Sequence, residues 1–427
     1  MTAELELSKQ DEALLRGEED QVLQFAMEMV IRAGAALGAE ELIDVTFAHI
    51  DSCHYYGQAH VDFARFVVDG GAKVKVPSWT NTVPVSVRGN EIRPPDKSPE
   101  YLAGARELLP LYQKMGCRPV WTCAPYQIPG GPGLGDHIIG SESNAVTYYN
   151  SVTGARTNKY GDFLDVCASL TGRAPYAGLH KTENRRGAML FEFADDVPQS
   201  LRGQDIFPHV AGYLVGRRAG STIPVVSGLA EGTNADGLKA FSAAAAASGG
   251  VEMFHAVGLT PEAETLEVAF QGDEPAEPVT ITLADMQHAR SELSPTHSGS
   301  VNMVALGTPH FSFTEFAALM NLAEGRPIAA GVTAYVSTSR HVKALIDEKG
   351  WALELERLGW RVIVDTCTYF GPPVRGCKGV VMTNSAKWAY YGPGMLDVEV
   401  AFGSLEDCVE TAIAGEVKCT STLWGGG

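Results

Sequence analysis

From Val301 to Thr383 the chain alternates apolar strand patterns with helical ones, and this alternation restricts the fold more than any other feature. Val301–Leu306, Val332–Val336, Trp360–Val364 and Gly379–Met382 read as short buried strands. Ser312-Phe313-Thr314-Glu315 has the form of a capping box opening a helix, and Ser339–Leu358 reads as a helix with acidic and basic faces. A strand, a crossover helix and a further strand imply parallel pairing, since parallel neighbours cannot be joined by a tight turn. Such strands end together, and the loops beyond their C-terminal ends are where ligands bind. Two of these endings are Val364-Asp365-Thr366-Cys367 and Thr383-Asn384-Ser385-Ala386-Lys387; a third run of the same kind, Trp121-Thr122-Cys123-Ala124-Pro125-Tyr126, lies far upstream. Each presents a polar or sulfur group at a loop, and two offer a thiolate. Iron-sulfur or metal-assisted chemistry is the candidate they raise.

The N-terminal part carries a weaker pattern. Leu5–Ala36 has Ser8 as an N-cap and Val22, Phe25, Ala26, Met29, Val30 and Ala33 at helical spacing, with an interruption or bend near Gly17. Leu42–His49 reads as a strand before a polar turn at Asp51–His54, and Ala59–Gly70 as a helix closed by its glycines. Lys73–Val76 reads as a strand running into Pro77 and the loop Ser78–Thr82, Tyr101–Met115 as a helix, and Pro119–Thr122 as a strand ending on Cys123. Tyr126–Gly140 is rich in Gly and Pro; its Gly130–Gly135 run is no dinucleotide fingerprint, because prolines interrupt it and the strand-to-helix setting is missing. Residues 143–157 are dense in Asn, Ser and Thr, which are costly to bury without partners and suit the lining of a polar cavity. Ile223–Val226, Glu252–Val257 and Val279–Leu283 read as strands of a middle subdomain. The expected organisation is α/β, with layered parallel or mixed sheets and flanking helices, in three parts: residues 1–200, 201–297 and 298–427.

A chain of 427 residues exceeds what one core usually organises. Its formal net charge of −18 argues against a nucleic-acid partner, which needs clustered Lys and Arg, but leaves room for a small anionic substrate. Eight cysteines without a secretion signal divide between packing and ligation, and the absence of a CxxC pair argues against a zinc ribbon. No run of about 18 apolar residues is present to span a membrane. A cytoplasmic protein is expected.

A wider set of segments resembles the aconitase X family of hydro-lyases, from about Leu5 to Gly415. It comprises Ala48–Gly57, Trp121–Tyr126, Glu142–Ala145, Asn150–Thr157, Gly178–His180, Gly307–His310, Asp365–Cys367 and Thr383–Tyr391. The resemblance implies an aconitase-like large subunit of α/β layers holding an iron-sulfur cluster, closed by a small swivelling domain on a partner subunit. Members dehydrate cis-3-hydroxy-L-proline or mevalonate 5-phosphate. The three cluster cysteines of the mevalonate-phosphate branch correspond here to Cys123, Thr308 and Cys367, so the middle one is missing, and hydroxyproline-type members share a cysteine at Cys53. The resemblance therefore implies Cys53, Cys123 and Cys367 as cluster ligands, Cys377 as competitor for the third place, and a [2Fe-2S] centre ahead of a larger cluster or a single iron. Cys117, Cys167, Cys408 and Cys419 are assigned to packing.

Lys387, Ser143 and Glu142 are the implied catalytic residues. Ser52, His54, Asn81, Thr82, Arg156 and Lys387 are the implied substrate contacts, with Lys387 offering its ammonium to a carboxylate. The residues by themselves leave alternatives: Glu142 and Ser143 as a helix cap, Asn81 and Thr82 as a plain turn, Arg156 as a stitch between loops, and His54, His180 and His310 as structural groups. The expected activity is dehydration of a small hydroxy acid, cis-3-hydroxy-L-proline first and mevalonate 5-phosphate second. A cluster-free scaffold subunit is the contrasting reading.

Overall fold

Three sheets whose strands all run parallel carry the architecture, and the C-terminal edges of two of them are joined by hydrogen bonds. The computed structural model describes residues 5–18, 20–87, 92–94, 99–230, 232–419 and 424. In the N-terminal part β1 (Leu42–Asp44) pairs antiparallel with the last of five strands, while β2 (Phe47–Ile50), β3 (Ser78–Thr80) and β4 (Ile138–Gly140) form a parallel sheet in the order β3-β2-β4. The fifth strand is β5 (Arg173–Pro175). Val22, Ala26 and Val30 of the helix Gln21–Leu37 pack in one core with Val61 and Ala64 of Gln58–Asp69 and with Leu108 and Tyr112 of Pro99–Lys114.

The expected long first helix is two. Ser8 and Asp11 form a capping box on Lys9–Leu15, Asp20 caps Gln21–Leu37, and the break falls at Gly17, whose φ of 71° suits glycine. Two strand expectations need correction. The strand expected at Lys73–Val76 forms at Ser78–Thr80 instead, beyond Pro77, whose carbonyl accepts from Ala48 N. Pro119–Thr122 is not a strand: Pro119 has no N–H to offer a ladder, Trp121 sits at a φ of 45°, and only a single bridge joins Arg118 to Trp79.

The middle sheet has the order β8-β7-β6-β9, from β6 (Met189–Phe193), β7 (Pro224–Ser227), β8 (His255–Ala256) and β9 (Val279–Ile281). Beside it the Ala-rich helix Ala235–Gly249 lies so close to Phe207–Ala219 that a Cβ on Gly216 would stand 2.6 Å from Ala245 O. Its small residues serve close packing. Among the described residues no helix is long and apolar enough to cross a membrane.

The C-terminal sheet has the order β12-β11-β10-β13-β14, from β10 (Met303–Phe311), β11 (Thr333–Thr338), β12 (Trp360–Val364), β13 (Val380–Thr383) and β14 (Glu399–Phe402). Ser312 and Glu315 form the expected capping box. Gly307–His310 lies inside β10 as an irregularity where the register with β11 jumps between Leu306 and Phe311. Gly307 has a φ of 87°, and a Cβ there would meet Ser337 O at 2.1 Å, so only glycine fits. The helix expected over Ser339–Leu358 divides at Gly350 into Arg340–Glu348 and Trp351–Arg357.

Parallel pairing has a direct consequence for function. β2, β3 and β4 end on Asp51–His54, Asn81–Thr82 and Ser141–Ser143, while β12 and β13 end on Asp365–Cys367 and Asn384–Lys387. Val83 N donates to Asp365 O at 2.9 Å, tying the two sets of loops together.

Candidate active site

Cys123 and Cys367, 244 positions apart, bring their sulfurs to 3.9 Å. That is far beyond a bonded S–S distance of about 2.05 Å, and both thiols are free and buried. Each lies two residues after a non-glycine residue in the left-handed region, Trp121 at φ 45° and Asp365 at φ 74°. Such conformations cost on the order of 1–3 kcal/mol each and persist where surroundings enforce them. Arg340 enforces the second, donating to the Asp365 carboxylate at 2.6 and 3.1 Å. Buried Arg93 donates to Cys367 O at 2.9 Å, and Asn144 Nδ2 to Cys123 O at 3.0 Å.

His310 stands between the two turns. Its Nε2 donates to Thr366 O at 3.2 Å, which fixes the proton there, and its Nδ1 accepts from Thr122 Oγ1 at 2.9 Å. Burial lowers its pKa to about 4, so the ring is neutral at pH 7. Its backbone N–H points at Cys123 Sγ, 3.4 Å away. Cys123, His310 and Cys367 bring donor atoms within 4.8 Å of one another, a spacing that can hold a metal ion. Burial, then the neighbouring Cys123, push the Cys367 thiol well above its ordinary range while Lys387 opposes them. A pair of thiolates there calls for a bound cation.

Beside the sulfurs lies a cavity of about 620 Å³, lined by Asp51, His54, Asn81, Glu142, Ser143, Tyr369 and Lys387 among others. Lys387 Nζ meets Glu142 Oε1 at 2.5 Å and Ser143 Oγ at 3.5 Å, and both charged groups are buried. Burial by itself would raise Glu142, but the ammonium and the N–H of Ala145 hold its carboxyl below the usual range; Glu142 in turn raises Lys387. The pair is thus ionised, and it joins the loop after β4 to the loop after β13. Asn81 Oδ1 and Thr82 Oγ1 are buried without partners. Such atoms cost about 1–3 kcal/mol each when left unsatisfied, which a ligand can relieve.

Three models of successive aconitase X domains match the chain: the first over residues 4–183, the second over 188–291 and the third over 301–414. The chain belongs to the aconitase X family. It is 42% identical over 415 residues to a cis-3-hydroxy-L-proline dehydratase of Hypocrea jecorina, spanning 96% of this chain and 69% of that protein. The dehydratase of the same name from Pseudomonas aeruginosa is 40% identical over 418 residues, spanning 97% and 71%. The phosphomevalonate dehydratase large subunit of Thermococcus kodakarensis is 32% identical over 387 residues, spanning 90% and 94%. A crystal structure of Thermococcus kodakaraensis aconitase X in its holo form matches with a TM-score of 0.83 at 30% identity, over 96% of this chain and 100% of that one.

Against this aconitase X fold the expected site residues separate. Cys123 and Cys367 come together, and Lys387, Glu142, Ser143, His54 and Asn81 line one cavity, with Thr82 buried beside Asn81. Cys53 lies outside the 4.8 Å donor group: its thiol donates to Ile50 O at 3.3 Å and Asn81 O at 3.4 Å, and it packs in the N-terminal core. Ser52 is wholly buried, donating to Asp165 and accepting from Phe163 N at 2.7 Å, so it braces its loop and does not line the cavity. Arg156 likewise does not line the cavity; it donates to His180 O at 3.2 Å and Thr182 Oγ1 at 2.8 Å, stitching two loops. Half-buried Cys377 is packed against the large central core.

Sequence reasoning passed over Asp51 and Asp165. Asp51 lines the cavity, accepts from Asn81 Nδ2 at 2.5 Å and has its pKa raised to about 7 by burial and then by nearby carboxylates. Asp165 is fully buried and accepts from Asp51 N at 2.9 Å, Ser52 N at 3.1 Å and Ser141 Oγ at 2.8 Å. Asp51 lies in the Ala48–Gly57 segment, and its position between a strand and Cys53 is the signal the sequence offers for it. Asp165, in the first turn of the helix Leu164–Thr171 where an acidic residue is ordinary, gives none.

Proposed function

We propose that this chain is the large component of an iron-sulfur hydro-lyase that dehydrates cis-3-hydroxy-L-proline to Δ1-pyrroline-2-carboxylate. The observation that carries the reading is the buried sulfur pair, 3.9 Å apart, beside a cavity walled by an ammonium and carboxylates. Identities of 42% and 40% to hydroxyproline dehydratases, against 32% to a phosphomevalonate dehydratase subunit, support the choice of substrate.

The donor set fits the group. Two soft sulfurs suit iron and sulfide better than a hard cation, and the unpartnered Thr308 hydroxyl and Asn144 carbonyl give such a centre polar neighbours. Cys123 and Cys367 hold it in this proposal, with Cys53 as third thiolate and [2Fe-2S] as the form. A two-iron centre is larger than one ion, so its third ligand need not share the 4.8 Å spacing of the Cys-His-Cys group. That spacing favours a second reading, a single iron on Cys123, His310 and Cys367. Iron and acid-labile sulfide counts in Cys53→Ser and His310→Gln decide between them. Sulfide that disappears with Cys53 sustains the first; iron without sulfide, lost with His310, sustains the second.

When bound, the iron supplies a Lewis acid for the departing hydroxyl. The chain's residues do the positioning. Lys387 presents its ammonium to the substrate carboxylate, sharing it with Glu142, while Asn81, Thr82 and Ser143 offer polar groups to the ring and its hydroxyl. The Cα proton and the hydroxyl on the next carbon leave as water, giving an enamine that tautomerises to the cyclic imine, with no change of oxidation state. The proton-abstracting base is assigned to the small swivelling domain. The relatives support such a component: this chain spans 69% and 71% of the hydroxyproline dehydratases but 94% of the large subunit.

The test is anaerobic reconstitution of the chain with iron and sulfide, followed by assay with and without the small component on both candidate substrates. Pyrroline-2-carboxylate formation that requires the small component is expected. Turnover of mevalonate 5-phosphate alone would transfer the assignment to the other branch, and a colourless chain that takes up no iron would overturn it.

A further inference from the structure

Lys239 carries a charge where the substrate cavity cannot use it. On the Ala-rich helix Ala235–Gly249 it is 2% exposed, and its Nζ donates to His310 O at 3.3 Å while pairing with Glu315 and, at 3.1 Å, with Asp236. Gln127 Nε2 donates to the same carbonyl at 3.1 Å. The two carboxylates are tied to the chain just beyond: Glu315 accepts from Ser312 N at 2.7 Å and Asp236 from Ser312 Oγ at 2.9 Å. A buried ammonium costs several kcal/mol unless well paired; here Glu315 and Asp236 pair it, and it also donates to the His310 carbonyl.

What it fixes is the residue that touches both cysteine turns. The His310 main-chain N–H donates to Cys123 Sγ at 3.4 Å, and its ring bridges Thr122 and Thr366, each the neighbour of a cysteine. Main-chain N–H donors to sulfur favour the more negative, reduced state of a sulfur-ligated centre and hold the thiolate against loss of metal.

We propose that Lys239 is a positioning residue for the sulfur centre: by anchoring the His310 carbonyl it aims the N–H that hydrogen-bonds Cys123, and so sets the centre's reduction potential and its retention of iron. This rests on the iron-sulfur reading above. Removing the anchor frees the His310–Phe311 peptide and, through the His310 backbone, lets the N–H of the adjoining Pro309–His310 peptide turn away from the sulfur, leaving a centre with a lower potential that sheds iron sooner.

The experiment uses the full chain, reconstituted anaerobically, as wild type, Lys239→Met, Lys239→Arg and Gln127→Leu. Midpoint potential is read by redox titration of the visible absorption, iron release is timed against a chelator, and circular dichroism reports the fold. Lys239→Met is expected to release iron at least about 10-fold faster with a more negative midpoint, and Lys239→Arg to recover part of both. General loosening of the fold would hasten release without moving the potential of the centres that remain. Should Lys239→Met fail to fold, Gln127→Leu removes a neutral donor to the same carbonyl and is expected to shift the potential in the same direction by less. A folded Lys239→Met with wild-type potential and release rate overturns the proposal and leaves the iron-sulfur reading intact, as does an unshifted Gln127→Leu where the lysine variant cannot be studied. A wild-type chain that binds no iron overturns both.

Discussion

The two strand edges that meet at the site are built differently. On the C-terminal side β10 runs nine residues, and it and the neighbouring strands hold buried Val304, Ala334, Val336 and Met382 in one apolar core. On the N-terminal side β2, β3 and β4 have four, three and three residues, too few to fix the loops that follow. A single carboxylate compensates: Asp165 gathers the main chain of Asp51 and Ser52 and the hydroxyl of Ser141. One edge is rigid through its strands and supplies Cys367 and Lys387; the other is rigid through a buried polar hub and supplies Asp51, Asn81 and Glu142. Chemistry and stability should therefore fail separately when the two sides are altered.

The largest effect is expected at the sulfur pair. Cys367→Ser replaces a soft ligand with a poor one for iron. It should reduce bound iron and dehydratase activity to background while the melting temperature of the metal-free chain stays within about 2 °C of wild type, since the change is nearly isosteric. A variant that keeps its iron would remove Cys367 from the chemistry and leave Lys387 as the C-terminal edge's contribution.

Lys387→Met tests the join between the edges. It leaves Glu142 buried without its cation, a loss of about 3–5 kcal/mol in comparable cases, partly avoided here if the carboxyl takes up a proton. Activity should fall about 100-fold or more with KM raised, because a substrate carboxylate loses its charged partner. Adding Glu142→Gln should recover stability and leave activity low. Recovery of both would mean that the pair is a structural clasp.

Asp165→Ala addresses the N-terminal edge alone. Several buried donors would lose their acceptor, so destabilisation of about 3 kcal/mol or more is expected in urea unfolding, with hydrogen exchange faster at Asp51 and Ser52 and slow exchange kept in β10 and β11. Equal loosening of both sheets would break the distinction between them.

The same contrast decides what could be read in advance. The C-terminal strands were legible because their β-branched runs and the Ser312 and Ser339 caps are local signals; Trp360–Val364 has the expected bounds. The N-terminal strands were not, because Lys73–Val76 has the apolar alternation while the pairing goes to Ser78–Thr80, and the loop after the neighbouring strand is held at Asp51 and Ser52 from Asp165, 114 and 113 positions away. Cys123 was legible as a thiol presented at a turn although the strand expected before it does not exist, since the motif reports the turn and not the ladder. His310 and Lys239 show the limit: their roles arise from contacts across 71 positions, and nothing in the Ala-rich segment around Lys239 marks it.

The smallest predicted effect separates the two sides by pH. His49, His54 and His180 all belong to the N-terminal part, and burial lowers their pKa values to about 4, 4 and 3. His180 is buried, hydrogen-bonded through Nε2 to Tyr160 Oη at 2.7 Å, and further depressed by His137 and two arginines. In the unfolded chain it titrates near 6.5, so unfolding takes up a proton below that pH. The stability it permits is present above about pH 6.5 and is lost as pH falls toward 3, at about 1.4 kcal/mol per unit. His180→Gln should thus lose some stability at pH 7.5 through its broken hydrogen bonds. Between pH 7.5 and 5 it should fall by about 2 kcal/mol less than wild type does. An unchanged pH slope would mean that the imidazole is not held neutral, and that acid weakens the molecule from the C-terminal side, where His310 lies between the cysteine turns.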